Sequence, residues 1–270
     1  MKKKLNLITF IILLNAFLSF SQKNVTTGYI EYEMTFPNVG NPSEELGTLI
    51  FNDSISLFTY RKEGYNKKLN SSSNYNENEN GNMVIKAKKE DKFGSIIFRN
   101  FRNKNITFRL VTSKFYTSKL VKDNWVNFNW EIKNKYKKIG TFNCQMAEGK
   151  FRGRIYTAWF TNEIALSYGP WKLFGLPGLI IEASDEDNDF KAKLRYIKYP
   201  KLISKEQFKQ PTNGEKLTIK EFATFQKNIP KIAEEKIKSK FPRGIKMKFS
   251  KLKTNFIEKT FEWETEKEKN

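Results

Sequence analysis

The stretch TGYIEYEMTF, Thr27 to Phe36, puts Ile30, Tyr32, Met34 and Phe36 on one side of an extended chain and Glu31, Glu33 and Thr35 on the other. A period of two marks a half-buried strand. The pattern keeps returning. GTLIFND and SISLFTYR read as a hairpin across Asn52-Asp53, and NMVIKAK, SIIFRN and NITFRLV read as further strands. NWVNFNWEIK gives the cleanest alternation, with Val126, Phe128, Trp130 and Ile132 opposed to Asn127, Asn129 and Glu131. FNCQMAEGKF and RIYTAWFT follow with Gly153 between them, and DFKAKLRYIKY alternates Phe190, Ala192 and Leu194 before slipping register near Tyr196. The 24 Phe and 11 Tyr reinforce this reading, because aromatic side chains favour strands.

Past Pro200 the period changes. Phe222, Phe225, Ile229, Ala233, Ile237 and Phe241 fall three or four apart, as on a helix. Thr218 and Glu221 have the spacing of a capping box, Pro230 is expected to kink or split the helix near Asn228, and Gly244 ends the helical region. Packing against the sheet is the expected use of the apolar stripe, since Glu221, Glu234 and Glu235 dilute any membrane-surface character. NFIEKTFEWE reads as a last apolar element, an edge strand. Many strands and then a helix, with no alternating units, argue against doubly wound and (β/α) barrel folds. The expected class is mainly β with a C-terminal helix (α+β), built as a large curved antiparallel sheet or open half-barrel.

The N-terminus has the organisation of a secretory signal peptide over residues 1–21: Lys2, Lys3 and Lys4, an apolar run from Leu5 to Leu18, and small Ser19 and Ser21 ahead of Gln22. The run is shorter than the roughly 20 residues of a membrane span. Residues 22–270 then form a single β-rich domain, expected to lack a transmembrane span, with a polar Asn/Ser-rich loop at 62–82.

The chain carries a formal charge of +20, which suits anionic partners such as lipopolysaccharide; for an exported chain, nucleic acid is not expected. There is no histidine, which removes Ser-His-Asp and Cys-His catalysis and every His-based metal site. The lone cysteine, Cys144, reads as a buried strand residue. DEDND, Asp185 to Asp189, fails the EF-hand pattern, because Phe190 and Tyr196 stand where glycine and glutamate are needed, and reads as a hairpin tip. Glu131, Glu148, Glu163 and Glu182 are available for carboxylate-based hydrolysis, but nothing in the sequence pairs any two of them. No catalytic residue, cofactor or metal is assigned.

One segment departs from the lysine-rich background: GPWKLFGLPGLIIEA, Gly169 to Ala183. Gly169-Pro170 makes a turn, and Pro170 starts a single helical turn through Phe174 that Gly175 closes. Pro177-Gly178 fits a type II turn in which glycine supplies the positive φ, and Leu179 and Ile180 enter a strand. The large side chains Trp171, Leu173, Phe174 and Leu176 must be covered by the sheet, by an apolar ligand or by a partner. This loop is the candidate site, either for contact or as a plug in the protein's own core.

The same residues resemble a family. GLPGLI, Gly175 to Ile180, is the signature of the GLPGLI family of exported Bacteroidetes proteins. The likeness extends from Lys138 to Ala183, with a glycine shortly before Cys144, Gly153-Arg154 before a Tyr-x-Ala-Trp strand, and Gly169-Pro170 ahead of the signature. Thr141 stands where that family commonly has tyrosine, with the aromatic moved to Phe142. The resemblance implies a periplasmic or outer-membrane-facing β-rich protein near TonB-dependent transport, and carries over no activity. The expected role is a non-enzymatic envelope binding or accessory protein that contacts an apolar ligand or an envelope protein. The alternatives are a carboxylate-based hydrolase and a structural protein binding lipopolysaccharide by charge.

Overall fold

The computed structural model describes residues 26–37, 42–65, 91–125, 127–240, 242 and 255–267. The leader, most of the 62–82 loop, NMVIKAK, Phe241 and Gly244 lie outside the described residues.

Among the described residues twelve strands form one sheet. The first six, β1 (Gly28–Phe36), β2 (Ser43–Phe51), β3 (Ile55–Tyr60), β4 (Ser95–Asn100), β5 (Asn105–Leu110) and β6 (Lys119–Asp123), make an antiparallel meander. The next five, β7 (Glu131–Ile139), β8 (Phe142–Phe151), β9 (Arg154–Thr161), β10 (Leu179–Asp185) and β11 (Lys191–Lys198), make a second. The two meanders join through β1 and β11. β12 (Glu215–Thr218) adds to β6 in the one parallel pairing between named strands, so the expected antiparallel sheet has a single exception at its edge. β7 and β12 end the order without meeting, and the sheet stays open.

The inner face is the one that period two foretold. Ile30, Tyr32, Met34 and Phe36 are all buried, as are Phe58, Tyr156, Ala158 and Phe160 on their own strands. The slip near Tyr196 is a β-bulge: Glu31 pairs with Tyr196 and Tyr32 with Leu194, which leaves Arg195 over. The outer face carries a charge ladder in which Lys137 and Lys193 flank Glu182.

α1 (Ile219–Lys238) starts on the expected capping box, the Thr218 side chain accepting from the Glu221 amide. Its Phe222 ring meets Phe108 of β5 edge-on at 5.0 Å. Pro230 does not split it. Phe222 and Gln226 before the proline and Ala233 after it are buried, and tertiary contact on both sides holds the helix through the missing amide.

Two further expectations are corrected. Asn127–Trp130 is not strand, and β7 begins only at Glu131. The alternation there is met by packing instead of pairing: Phe128 stacks on Trp130 at 5.1 Å and on Phe151 at 4.5 Å, while Ile132 is exposed. The C-terminal residues form no edge strand either. Asn255–Phe261 runs as an irregular strap into the short helix α2 (Glu262–Lys267). Arg152 of the β8–β9 turn and Arg154 of β9 hold it.

Candidate functional site: the clamped apolar segment

Between β9 and β10 the chain leaves the sheet and folds back on itself. The Leu173 amide donates to the Pro170 carbonyl at 3.0 Å, closing a four-residue turn with Trp171 at φ +53°. The expected helical turn through Phe174 is therefore absent; Phe174 bridges back to Tyr168 instead. The Gly175 amide donates to Ser167 O at 3.1 Å and the Ile180 amide to Tyr168 O at 3.1 Å, which ties the two arms together.

The glycines serve different purposes. Gly175 sits at φ +95°, where a side chain is strained. Gly178 has no positive φ, contrary to the type II turn expected there. It is needed for space: a Cβ on it would lie 1.9 Å from the Thr161 carbonyl oxygen.

The apolar side chains turn inward. Trp171 is 2% exposed and Leu176 1%, with Leu173, Phe174, Leu179 and Ile180 also buried and only Gly175 and Pro177 reaching the surface. Trp171 packs against Tyr156, Phe151 and Phe190. Phe174 sits among Phe101, Trp125 and Phe128, and its carbonyl accepts from Trp130 Nε1 at 2.8 Å. Gly169 and Pro170 are buried with them.

Polar groups lock this apolar packing. Arg99 of β4, 1% exposed, donates Nη2 to Trp171 O at 2.5 Å and Nη1 to Lys172 O at 3.1 Å, and lies over the Phe174 ring. Among the described residues no carboxylate pairs with it, and burial pulls the guanidinium down to about 10. Lys172 reaches into a buried ionic cluster. Its Nζ donates to Asp123 at 2.7 Å and Glu258 at 2.8 Å and rests on the Phe108 ring. Arg152 chelates Asp123 at 2.6 and 3.0 Å, reaches Glu258 at 2.5 Å and meets Glu262 at 2.9 Å. Burial alone would raise the Asp123 carboxyl, but Lys172 and Arg152 outweigh it and hold it below its ordinary value. Glu258 and the other acids likewise hold the Arg152 guanidinium well above its ordinary range against the effect of burial.

Two residues on, Arg154 makes a second cluster. It pairs with Asp185 and donates to the strap at Ile257 O (3.0 Å), Phe256 O (2.8 Å) and Asn255 Oδ1 (2.6 Å). Gly153 between the arginines has φ +79°, and a Cβ there would lie 2.8 Å from Thr260 Oγ1 of the strap.

DEDND is the hairpin tip between β10 and β11. Its Asp185, Asp187 and Asp189 bring carboxylate oxygens within 4.8 Å of one another, the kind of grouping that could hold a cation. Arg154, Lys259 and Asn255 already donate to those carboxylates. Glu131 and Glu148 are cross-strand partners bridged by Lys133 at 2.6 and 3.3 Å, on the exposed β7–β8 hairpin. Glu163 accepts from Asn143, and Glu182 from Lys137. Cys144 is buried on β8, and burial pushes its thiol up to about 11. Ile139 pairs with Phe142 across Gly140-Thr141, so Thr141 lies in the hairpin turn and the displaced aromatic starts β8. A shallow depression of about 550 Å³ lies on the outer face by Trp159, Lys137, Glu182 and Lys193.

Sequence reasoning missed Arg99, Asp123, Arg152, Lys172 and Glu258. A signal for one was present: Arg99 shares the parity of Ile97, so the alternation of SIIFRN itself points it inward.

A family model described as "Protein of unknown function (Porph_ging)" matches residues 150–182. The search among curated proteins found no match. Among solved structures the chain is similar to PNGF-II in its P21 crystal form, at 16% identity and TM-score 0.46 over 77% of this chain and 34% of that one. The chain thus spans about a third of the length of PNGF-II. It is also similar to a putative outer membrane lipoprotein-sorting protein domain from Vibrio parahaemolyticus, at 8% identity and TM-score 0.30 over 69% and 90% of the two chains. A DUF1329 family protein from Desulfovibrio piger ATCC 29098 follows, at 8% identity and TM-score 0.23 over 70% and 91%. The stretch of the family match takes in the Arg152-Gly153-Arg154 turn, β9 and the apolar segment through Glu182, and leaves the strap outside.

Proposed function

We propose that the chain is an exported, non-enzymatic accessory protein of the cell envelope that acts by binding, with the 169–180 segment as the internal keystone of its fold. The observation that carries this reading is the use to which its buried ionisable groups are put. Asp123, Arg152, Lys172 and Glu258 pair with one another, and Arg154 pairs with Asp185. The leader-like N-terminus supports export, and the described residues contain no helix long and apolar enough to cross a membrane. Nothing in the fold or the comparisons supports the TonB-dependent context.

Contact with a partner then falls to exposed elements. The best exposed is β7, an edge strand whose Tyr136 is 67% exposed. A photo-crosslinker at position 136, used on envelope fractions, is expected to give a discrete adduct that excess unlabelled protein abolishes. Adducts no stronger than those from a probe at exposed Leu202 would remove the basis of the reading. Glycoside turnover lost in Glu131→Gln or Glu148→Gln would replace it with the hydrolase. A purely lipopolysaccharide adduct that salt disperses would replace it with the charge-binding alternative.

A further inference from the structure

Among the described residues seven large apolar side chains stand exposed, and three of them fall within seven residues: Tyr196 at 47%, Tyr199 at 43% and Leu202 at 84%. They lie at the end of β11 and in the connection that follows it. A single exposed leucine is ordinary, but a grouping of this kind marks a contact surface. Basic residues are set between them. The run RYIKYPKLISK carries Arg195, Lys198, Lys201 and Lys205 and no acid. Lys198 and Lys205 are exposed.

The segment is fixed to the body of the protein. The Lys201 amide donates to Thr27 O at 2.8 Å and the Ile203 amide to Thr27 Oγ1 at 3.3 Å, and the Ile203 side chain is buried. Lys201 Nζ lies 4.2 Å from the centre of the Tyr29 ring, and Tyr196 packs near the same ring at 6.3 Å. Tyr199 rests against Phe51 and lines a recess of about 410 Å³ with Ile164, Leu166 and Ile197. The acids of the adjoining strand, Glu31 and Glu33, are met by Arg195 at 3.9 and 3.5 Å. The mixture of side chains decides what such a surface fits. Protein interfaces are depleted of lysine. The boundary of an anionic bilayer instead takes tyrosine rings and aliphatic groups at headgroup depth, with lysines among the phosphates.

We propose that residues 196–202 are a membrane-surface anchor that rests on a bilayer containing anionic phospholipid. Leu202 and Tyr199 enter the headgroup layer, and Lys198, Lys201 and Lys205 pair with the phosphates. Binding of this kind is peripheral and reversible, and it weakens with salt. The anchor goes beyond the accessory role in naming a surface and what it meets, and it stands apart from any contact made by β7. A photo-crosslinker at position 202 then meets lipid and not protein, so it still serves as the blank for protein adducts at position 136.

The test is co-sedimentation with vesicles, using the chain from Gln22 onward so that the apolar leader cannot bind in its place. One set of vesicles is phosphatidylcholine, and the other is equal parts phosphatidylcholine and phosphatidylglycerol. Binding to the anionic set is expected to be at least about tenfold the stronger. Leu202→Ser, at an exposed position that leaves the thermal melt unchanged, is expected to lower it about tenfold. Lys198→Gln with Lys201→Gln is expected to lower it by about fivefold for each lysine. Lys135→Gln with Lys138→Gln makes the same charge change on β7 and is expected to alter binding by less than about twofold. If the chain binds neither set, or binds both alike, there is no anionic-lipid anchor. If Leu202→Ser binds as the parent does, or the β7 pair weakens binding as much as the 198 and 201 pair, the attraction is diffuse charge and the proposal is overturned. A discrete protein adduct from a crosslinker at position 202 in envelope fractions would likewise overturn it and make the patch a protein contact.

Discussion

Arg99 Nη2 lies 2.5 Å from the carbonyl oxygen of Trp171, a residue 72 positions later in the chain. The bond ties the middle of the first meander to the turn of the apolar segment. It also leaves a buried guanidinium with backbone oxygens as its hydrogen-bond partners. Arg99→Leu removes the charge but strands two buried carbonyls, each costing about 1–3 kcal/mol. A loss of roughly 3 kcal/mol in urea unfolding is expected. Arg99→Lys should recover part of it, because one ammonium cannot reproduce the planar fork.

Lys172 and Glu258 should be strongly coupled. Removing one partner of a buried pair typically costs about 3–5 kcal/mol, because it leaves the other charge uncompensated. Lys172→Met and Glu258→Gln are each expected to destabilise on that scale, and the double variant by clearly less than their sum. A double-mutant cycle from denaturant midpoints measures the difference. Additive losses would show that the two groups do not act together.

Gly178→Ala tests steric need against conformational need. The Cβ would fall 1.9 Å from Thr161 O, so the backbone must shift; a loss of about 3 kcal/mol is expected. Gly140→Ala, where a Cβ meets nothing within 4 Å but φ is +58°, should cost only about 1 kcal/mol. Thermal melts of the two variants give the comparison.

Two aspartates set opposite pH dependences. Asp123 is held below its ordinary 3.8 once Lys172 and Arg152 overcome burial. Its stabilisation is complete above 3.8 and is lost as pH falls through the lower folded value. Burial raises Asp185 above 3.8 despite the Phe190 amide and Arg154. Its contribution is present below 3.8 and is lost as pH rises through the raised value. Asp123→Asn is expected to lower stability at neutral pH and flatten the acid limb; urea midpoints between about pH 2 and pH 7 would show both effects.

Cys144 should behave as a reporter of unfolding. It is fully buried and its thiol is pushed up to about 11, so thiolate is scarce at neutral pH. Alkylation by iodoacetamide is expected to follow the global opening rate and to rise steeply with urea. Rapid labelling of the native protein would contradict the burial.

Strands with one wet face were legible in the sequence, because their inner residues had to alternate. β1 and β9 are of this kind, and even the slip near Tyr196 came through as a bulge. β7 was not legible: as an edge strand exposed along nearly its whole length, it has no buried face to impose a pattern on EIKNKYKKI. Asn127–Trp130 misled for the converse reason, since aromatic stacking can alternate burial without a ladder. The strap is set by Arg152 and Arg154, more than 100 residues away from the groups they hold there, and no local signal encodes that. Of the candidate loop, its turns and apolar character were readable, but its direction was not. Inward burial depends on Arg99 and on Trp130, both outside the motif.

The join between β1 and β11 sets the order in which this molecule can be made. Each meander closes from neighbours in the chain, but Tyr29 meets its partner only when Lys198 arrives. Until then β1 and β11 are each a bare, half-apolar border in the middle of the future sheet. Such a seam has high contact order, the kind of pairing that forms slowly. A chain that emerges from its N-terminus must therefore carry an uncovered β1 through most of its synthesis or passage, which makes that border the place where misassembly begins.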